Sequence, residues 1–117
     1  MLGAIALLSV GFFESLCIRD MRIYSESIDG RVYHYRDKNN LEVDAIIQLT
    51  DGRWGAVEIK MGASEIEDAA ENLLKLKKTI DTESMNEPSF LMVLTGTEYA
   101  LQMKNGVLVV PLGCLKN

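Results

Sequence analysis

The sequence predicts an α/β domain with the element order α-β-β-β-α-β, a mixed sheet flanked by helices, and a β-hairpin at the C-terminal end. Three observations point that way. Apolar residues recur at spacings of three and four in two separate stretches, 9–28 and 64–80, as in helices that bury one side. Strand-like runs fill the space between them, at 31–36, 41–49 and 54–61. After the second helix, Ser89 to Thr95 is a continuous apolar run, as expected of a strand covered on both faces. The passage from 54–61 through a helix to 89–95 allows a parallel crossover, which is right-handed.

A chain of 117 residues has room for one core and no second. The net charge of −5 argues against strong unaided binding to nucleic acid, because phosphate affinity comes mainly from Lys and Arg. A local basic strip or a metal-bridged contact remains open. Cys17 and Cys114 stand in apolar surroundings and read as reduced buried thiols, with a disulfide as the alternative. With two cysteines and one histidine at no ligand spacing, nothing resembles a zinc site. The opening MLGAIALLSVGFF lacks a basic leader, reaches an acid at Glu14 and is too short to span a membrane. A cytoplasmic protein is expected.

In chain order, residues 1–10 form an apolar segment ahead of a domain spanning 11–117. That segment is either a mobile tail or a contact for a second copy, which would make the protein a homodimer. In the helix at 9–28, Phe12, Phe13, Leu16, Cys17, Met21 and Tyr24 form the apolar stripe. Glu14 falls close to that stripe, either solvated at its rim or part of a site. Asp29-Gly30 ends the helix, with Gly30 suited to a left-handed cap. In the strand at 31–36, Val32, His34 and Arg36 share one face, and the lone His34 reads as structural. Asp37 to Asn40 is a turn.

The second helix opens with Ser64 as cap and Glu67 completing a capping box. Its stripe is Ile66, Ala69, Ala70, Leu73, Leu74 and Ile80. Acids cluster at its start and Lys75, Lys77 and Lys78 near its end, which suits the helix dipole, though the lysines could also meet phosphates. A polar connection follows, from Asp81 to Pro88. The last two strands, 99–103 and 107–111, flank Lys104-Asn105-Gly106, and Asn-Gly is a strong hairpin signal. Pro111 marks the final strand as an edge.

The chemistry concentrates between Leu41 and Met61. Thr50-Asp51-Gly52 fits a three-residue hairpin loop, a type I turn closed by a left-handed glycine. That loop pairs Gln48 with Trp54, Ile46 with Ala56, Asp44 with Glu58, and Glu42 with Lys60. Opposed residues share a face. One face then carries two opposed carboxylates beside an acid–lysine pair. The other carries Val43, Ala45, Ile47, Leu49, Val57, Ile59 and Met61 as core. A two-residue loop would put Asp44 and Glu58 on opposite faces. Like charges directly opposed need a proton, a cation or a metal ion. Two hard carboxylates suit Mg²⁺, and Lys60 would hold or help deprotonate an attacking water. The alternative is a solvated charge ladder. Trp54 either covers a sheet edge or, next to Arg53, stacks on a base.

An acid, a short spacer and then E-x-K resemble the signature of the PD-(D/E)xK nuclease-like superfamily, which has the restriction-endonuclease-like fold. Here they are Asp44 and Glu58-Ile59-Lys60, with Glu42-Val43-Asp44 standing where the signature has proline. GFFESLCIRDMRIYS, VYHYRDKNNLEVDAII and WGAVEIKMG further resemble the C-terminal domain of a family of bacterial and archaeal AAA-type ATPases, domain of unknown function 4143, from about Gly11 to Leu115. No GxxxxGK[ST] phosphate loop occurs in these 117 residues, so the ATPase part that normally precedes this domain is not expected within them. The resemblance implies a restriction-endonuclease-like fold. It assigns Asp44 and Glu58 to a Mg²⁺ ion, Lys60 to catalysis and Glu14 to an outer ligand, with Glu42 a further candidate. The expected activity is hydrolysis of nucleic acid. The alternative is an inactive interaction or dimerisation module on the same frame.

Overall fold

Helix α1 (Leu2–Ser27) leads into three antiparallel strands, β1 (Gly30–Arg36), β2 (Glu42–Leu49) and β3 (Trp54–Lys60). A 3-10 turn and helix α2 (Ile66–Thr79) then carry the chain to β4 (Phe90–Thr95), followed by β5 (Leu101–Gln102) and β6 (Leu108–Pro111). This computed structural model describes residues 2–80 and 86–115, and side-chain surroundings for 11–80 and 86–113. The expected contact of the apolar segment 1–10, the connection at 81–85 and the state of Cys114 lie outside those descriptions.

The six strands form one mixed sheet in the order β1-β2-β3-β4-β6-β5. β4 lies parallel to β3 and β6 parallel to β4, so the predicted crossover through α2 is present. Helix, three strands, helix and further strands make an α/β fold, as expected.

Each face of the sheet has its own core. On one, Cys17 and Met21 of α1 pack on Ala45, Ile47, Val57, Ile59, Met92 and Leu94. On the other, Ala69, Ala70, Leu73 and Leu76 of α2 pack on Val43, Trp54, Ala56, Leu91 and Val93. β3 lies in the middle with both faces covered, and every residue from Trp54 to Ile59 is buried. The expected division into one charged and one apolar face is thus replaced by two cores meeting around a polar end.

Several local expectations shift. α1 starts at Leu2 rather than residue 9. Its buried stripe is Cys17, Met21 and Ser25, with Phe13 partly packed, while Phe12 is 67% exposed. Asp29 takes the left-handed conformation at the helix end (φ 57°). Gly30 instead gives room: a Cβ there would come within 3.0 Å of Leu49. Ser64 does not cap α2. It lies in the 3-10 turn Ala63–Glu65, and the capping residue Glu65 makes no side-chain cap bond. β6 is not the edge strand, because β5 lies outside it, pairing with Leu108 and Val109; Pro111 lies past that short pairing and opposite Thr95 of β4. The Trp54 ring is buried and its Nε1 donates to the Asn86 carbonyl at 2.8 Å, so it is not free to stack on a base.

Both hairpin loops use one device. In Thr50-Asp51-Gly52 and Lys104-Asn105-Gly106 the glycine has positive φ, 92° and 89°. The preceding Asp51 or Asn105 side chain accepts the N–H of the residue after the glycine. The first loop closes through Leu49 N–H to Arg53 O at 2.8 Å. That fixes the register as expected, with Gln48 opposite Trp54 and Ile46 opposite Ala56.

Candidate functional site

The register continues to Ala45 opposite Val57 and there the regular ladder stops. The next step would oppose Asp44 to Glu58. Instead of backbone pairing, the Asp44 N–H donates to Glu58 Oε1 at 3.1 Å and the Ile59 N–H donates to Asp44 Oδ2 at 2.8 Å. Each carboxylate thus satisfies a backbone donor of the other's strand, and the two acids are held side by side across the hairpin.

A bulge in β2 produces this. Tyr33 pairs with Ile46, but Tyr35 pairs with Val43, so β2 carries one more residue than β1 over this interval. The extra residue reverses the alternation. Ala45 and Ile47 pack toward α1, whereas Val43 packs toward α2. Asp44 sits at the reversal, with its N–H and its carboxylate both engaged by β3.

The same reversal overturns one expected pair. Glu42 does not lie opposite Lys60. It falls on the α1 side of the sheet, where its Oε1 is 2.9 Å from His34 Nε2. The lone histidine therefore has a carboxylate partner, although both side chains are more than half exposed.

Glu58 is 6% exposed. Burial first, and the Asp44 charge second, push its pKa from 4.5 up to about 7. The Asp44 N–H, Lys60 and the Asn72 side chain pull the other way without cancelling the rise. Lys60 is half-buried at the end of β3, beside Thr95 of β4, and forms no direct ion pair with either acid among the described residues. It acts on Glu58 through space.

Two polar residues that the sequence reading passed over belong here. Asn72 of α2 donates from Nδ2 to the Glu42 carbonyl at 2.7 Å, and its side chain lowers the Glu58 pKa. Its signal was an amide flanked at i−3 and i+4 by Ala69 and Leu76, both fully buried. Thr95, wholly buried next to Lys60, shares a 2.6 Å hydroxyl contact with Thr97. A hydroxyl ending an apolar strand was its only mark.

Glu14 is not drawn into this group. It is exposed on α1, and among the described residues no three His, Cys, Asp or Glu side chains gather closely enough to hold a metal ion. Its charge and that of Asp44 are both felt at Cys17, whose thiol is pushed up to about 12, chiefly by burial. What remains is a pair of acids, Asp44 and Glu58, held together. Asp44 and Glu58 each commit one oxygen to a backbone donor, and among the described residues neither second oxygen accepts a backbone N–H.

Residues 11–115 match the protein family described as Domain of unknown function (DUF4143). The chain belongs to that family. The match takes in both helices' packed parts and all six strands, so Asp44, Glu58, Lys60 and Asn72 lie inside the DUF4143 region. No curated protein and no solved structure matches the chain. No helix among the described residues is long and apolar enough to cross a membrane.

Proposed function

We propose that Asp44 and Glu58 hold a divalent cation of the Mg²⁺ type and that the domain hydrolyses phosphodiester bonds in nucleic acid. One observation carries this reading: the reciprocal engagement of the two acids across the bulged end of the β2–β3 hairpin. Capping two backbone donors does not require two acids in contact at a buried position. Placing a second carboxylate there raises the energy of the ionised pair. A hard divalent cation between the remaining oxygens would relieve that cost, and such ions commonly take one or two carboxylates and keep their waters. The resemblance of Asp44 and Glu58-Ile59-Lys60 to the PD-(D/E)xK signature supports the same assignment.

The chain's residues then divide the work. Asp44 and Glu58 hold the ion, and Asn72 of α2 helps keep the Glu58 pKa down. Lys60, two residues on from Glu58 on the same strand, would orient a water and offset negative charge growing on phosphate. The bound cation would supply polarisation of the phosphate and a lower pKa for its water. Glu14 stays outside this assignment unless α1 shifts. Mg²⁺ or Mn²⁺ titration by calorimetry tests the first half: binding by wild type that is lost in Asp44→Asn is expected, and no binding, or binding unchanged in the variant, would remove the reading. Divalent-dependent cleavage of plasmid and single-stranded DNA tests the second half. Lys60→Ala should abolish it, and equal cleavage by both proteins would point to contamination.

A second reading has its own observation. Phe12, Ile23 and Ile28 of α1 and its exit are 67%, 60% and 43% exposed, a run of apolar side chains on the helix that covers one face of the sheet. On this reading the domain is an interaction or dimerisation module, the acids only cap strand ends, and a homodimer is one outcome. Sedimentation of wild type against Phe12→Ser/Ile23→Ser decides it.

A further inference from the structure

Between the second half of α2 and the turn joining β1 to β2 runs an open groove of about 430 Å³, lined in part by Asn39, Asn40, Asn72, Lys75 and Lys78. We propose that this groove is a track for the phosphodiester backbone of a nucleic-acid strand, which it leads to Asp44 and Glu58. The proposal rests on the nuclease reading for its destination, but the track itself stands on separate features.

The first is charge. Lys75 and Lys78 are exposed, and neither belongs to an ion pair among the described residues. The helix dipole accounts for lysine in the last turn of α2, where Lys77 and Lys78 stand. It does not account for Lys75, a turn earlier, pointing into the same groove as Lys78. Residues three apart on a helix share a face, so both ammonium groups are presented to the same side of the groove. The single acid in the groove wall, Asp37, is already occupied. Its Oδ1 accepts the N–H groups of Asn39 and Leu41 at 2.9 and 3.1 Å, and its Oδ2 accepts the Tyr35 hydroxyl at 3.2 Å. With two lysines against one acid, the groove carries a net charge of +1 on a chain of net charge −5, and the acid is turned toward its own turn.

The second is continuity. Asn72 lines the groove, donates to the Glu42 carbonyl at 2.7 Å and lies near enough to Glu58 to lower its pKa. The groove therefore ends where the two acids begin. Amide side chains along the wall, from Asn39 and Asn40, supply uncharged donors for phosphate oxygens beside the lysines.

The test is anisotropy of a fluorescein-labelled single-stranded DNA of about 20 nucleotides, in EDTA, titrated at salt from about 50 to 200 mM. The proteins compared are wild type, Lys75→Ala/Lys78→Ala, and Lys77→Ala/Lys104→Ala, which removes the same charge away from the groove. Losing two phosphate contacts should flatten the slope of log affinity against log salt by about 1.4. Wild-type affinity should then fall about sevenfold more than the groove variant's across that range, while the control follows wild type. A groove variant indistinguishable from wild type or from the control overturns the track, as does a wild type that binds no strand at the lowest salt. Because divalent ions are absent, the track is judged apart from the metal site. A protein that binds DNA through the two lysines but takes up no cation in calorimetry keeps the track and loses the nuclease reading.

Discussion

Asp44 and Glu58 are tied to each other's strands through their carboxylates, Asp44 N–H to Glu58 Oε1 at 3.1 Å and Ile59 N–H to Asp44 Oδ2 at 2.8 Å, where a continuing ladder would have paired backbone with backbone. An exchange of this kind brings two like charges together inside a protein of this size. The consequences should be measurable without knowing any substrate.

The first concerns pH. Glu58 titrates near 7 in the folded chain and near 4.5 when unfolded. Between those values the folded state keeps a proton that the unfolded chain has released. Stability therefore falls as pH rises through that window, and the loss is complete above about 7. Its size is on the order of 3 kcal/mol. Glu58→Gln removes the titration while keeping an acceptor for the Asp44 N–H. Urea melts should show the variant gaining on wild type as pH is taken from about 4 to about 8. A stability difference that does not change with pH would contradict the burial and pairing described for Glu58.

Asn72 should set the height of that titration. Its side chain lowers the Glu58 pKa, so Asn72→Ala should move the midpoint up from about 7. The variant also removes the donor to the solvent-exposed Glu42 carbonyl, at a cost of about 0.5 to 1 kcal/mol. Carbon-detected NMR of the Glu58 carboxyl reads the first effect directly. A midpoint that stays or drops would mean α2 does not reach the acid.

Gly55 is held to its size by the neighbouring strand. It pairs with Phe90 across the parallel β3–β4 ladder, and a Cβ would overlap the Phe90 ring. Gly55→Ala should destabilise the domain by about 1 to 3 kcal/mol. Gly11, with nothing within 4 Å of an added Cβ on α1, makes the contrast. Gly11→Ala should stabilise by roughly 0.5 to 1 kcal/mol. Denaturation midpoints of the two variants moving the same way would dispute the strand register or the helix.

Cys17 should be chemically silent. Its thiol is fully buried between α1 and the sheet and pushed up to about 12. In a Cys114→Ser background, iodoacetamide at pH 8 should label it only after unfolding. Rapid labelling of the native protein would show that α1 lifts from the sheet.

Much of this was legible in the order of residues. Thr50-Asp51-Gly52 has the chemistry of one loop type, and that loop fixes where β2 meets β3. The apolar run at 90–95 and the stripe of α2 likewise announced a buried strand and its crossover. Where the reading slipped, a local rule met a tertiary one. Phe12 and Tyr24 fit the helical period of α1 but stand exposed, because the sheet accepts only the narrower stripe through Cys17, Met21 and Ser25. Leu76 lay outside the expected stripe of α2 and is fully buried, because the helix turns that side to Trp54 and Val93.

The candidate site divides along the same line. Sequence by itself determined that Asp44 and Glu58 would meet, since a turn of known length counts residues outward on both strands and side chains alternate by twos. It could not determine what happens to Glu42. One inserted residue opposite His34 reverses that alternation, and a bulge is chosen by how β1, α1 and α2 all pack on β2 at once. Nor could it bring in Asn72, thirty positions beyond the carbonyl it bonds. Periodicity is a property of neighbours along the chain. Which polar atoms end up sharing a buried corner depends on the whole set of surfaces that exclude water from it.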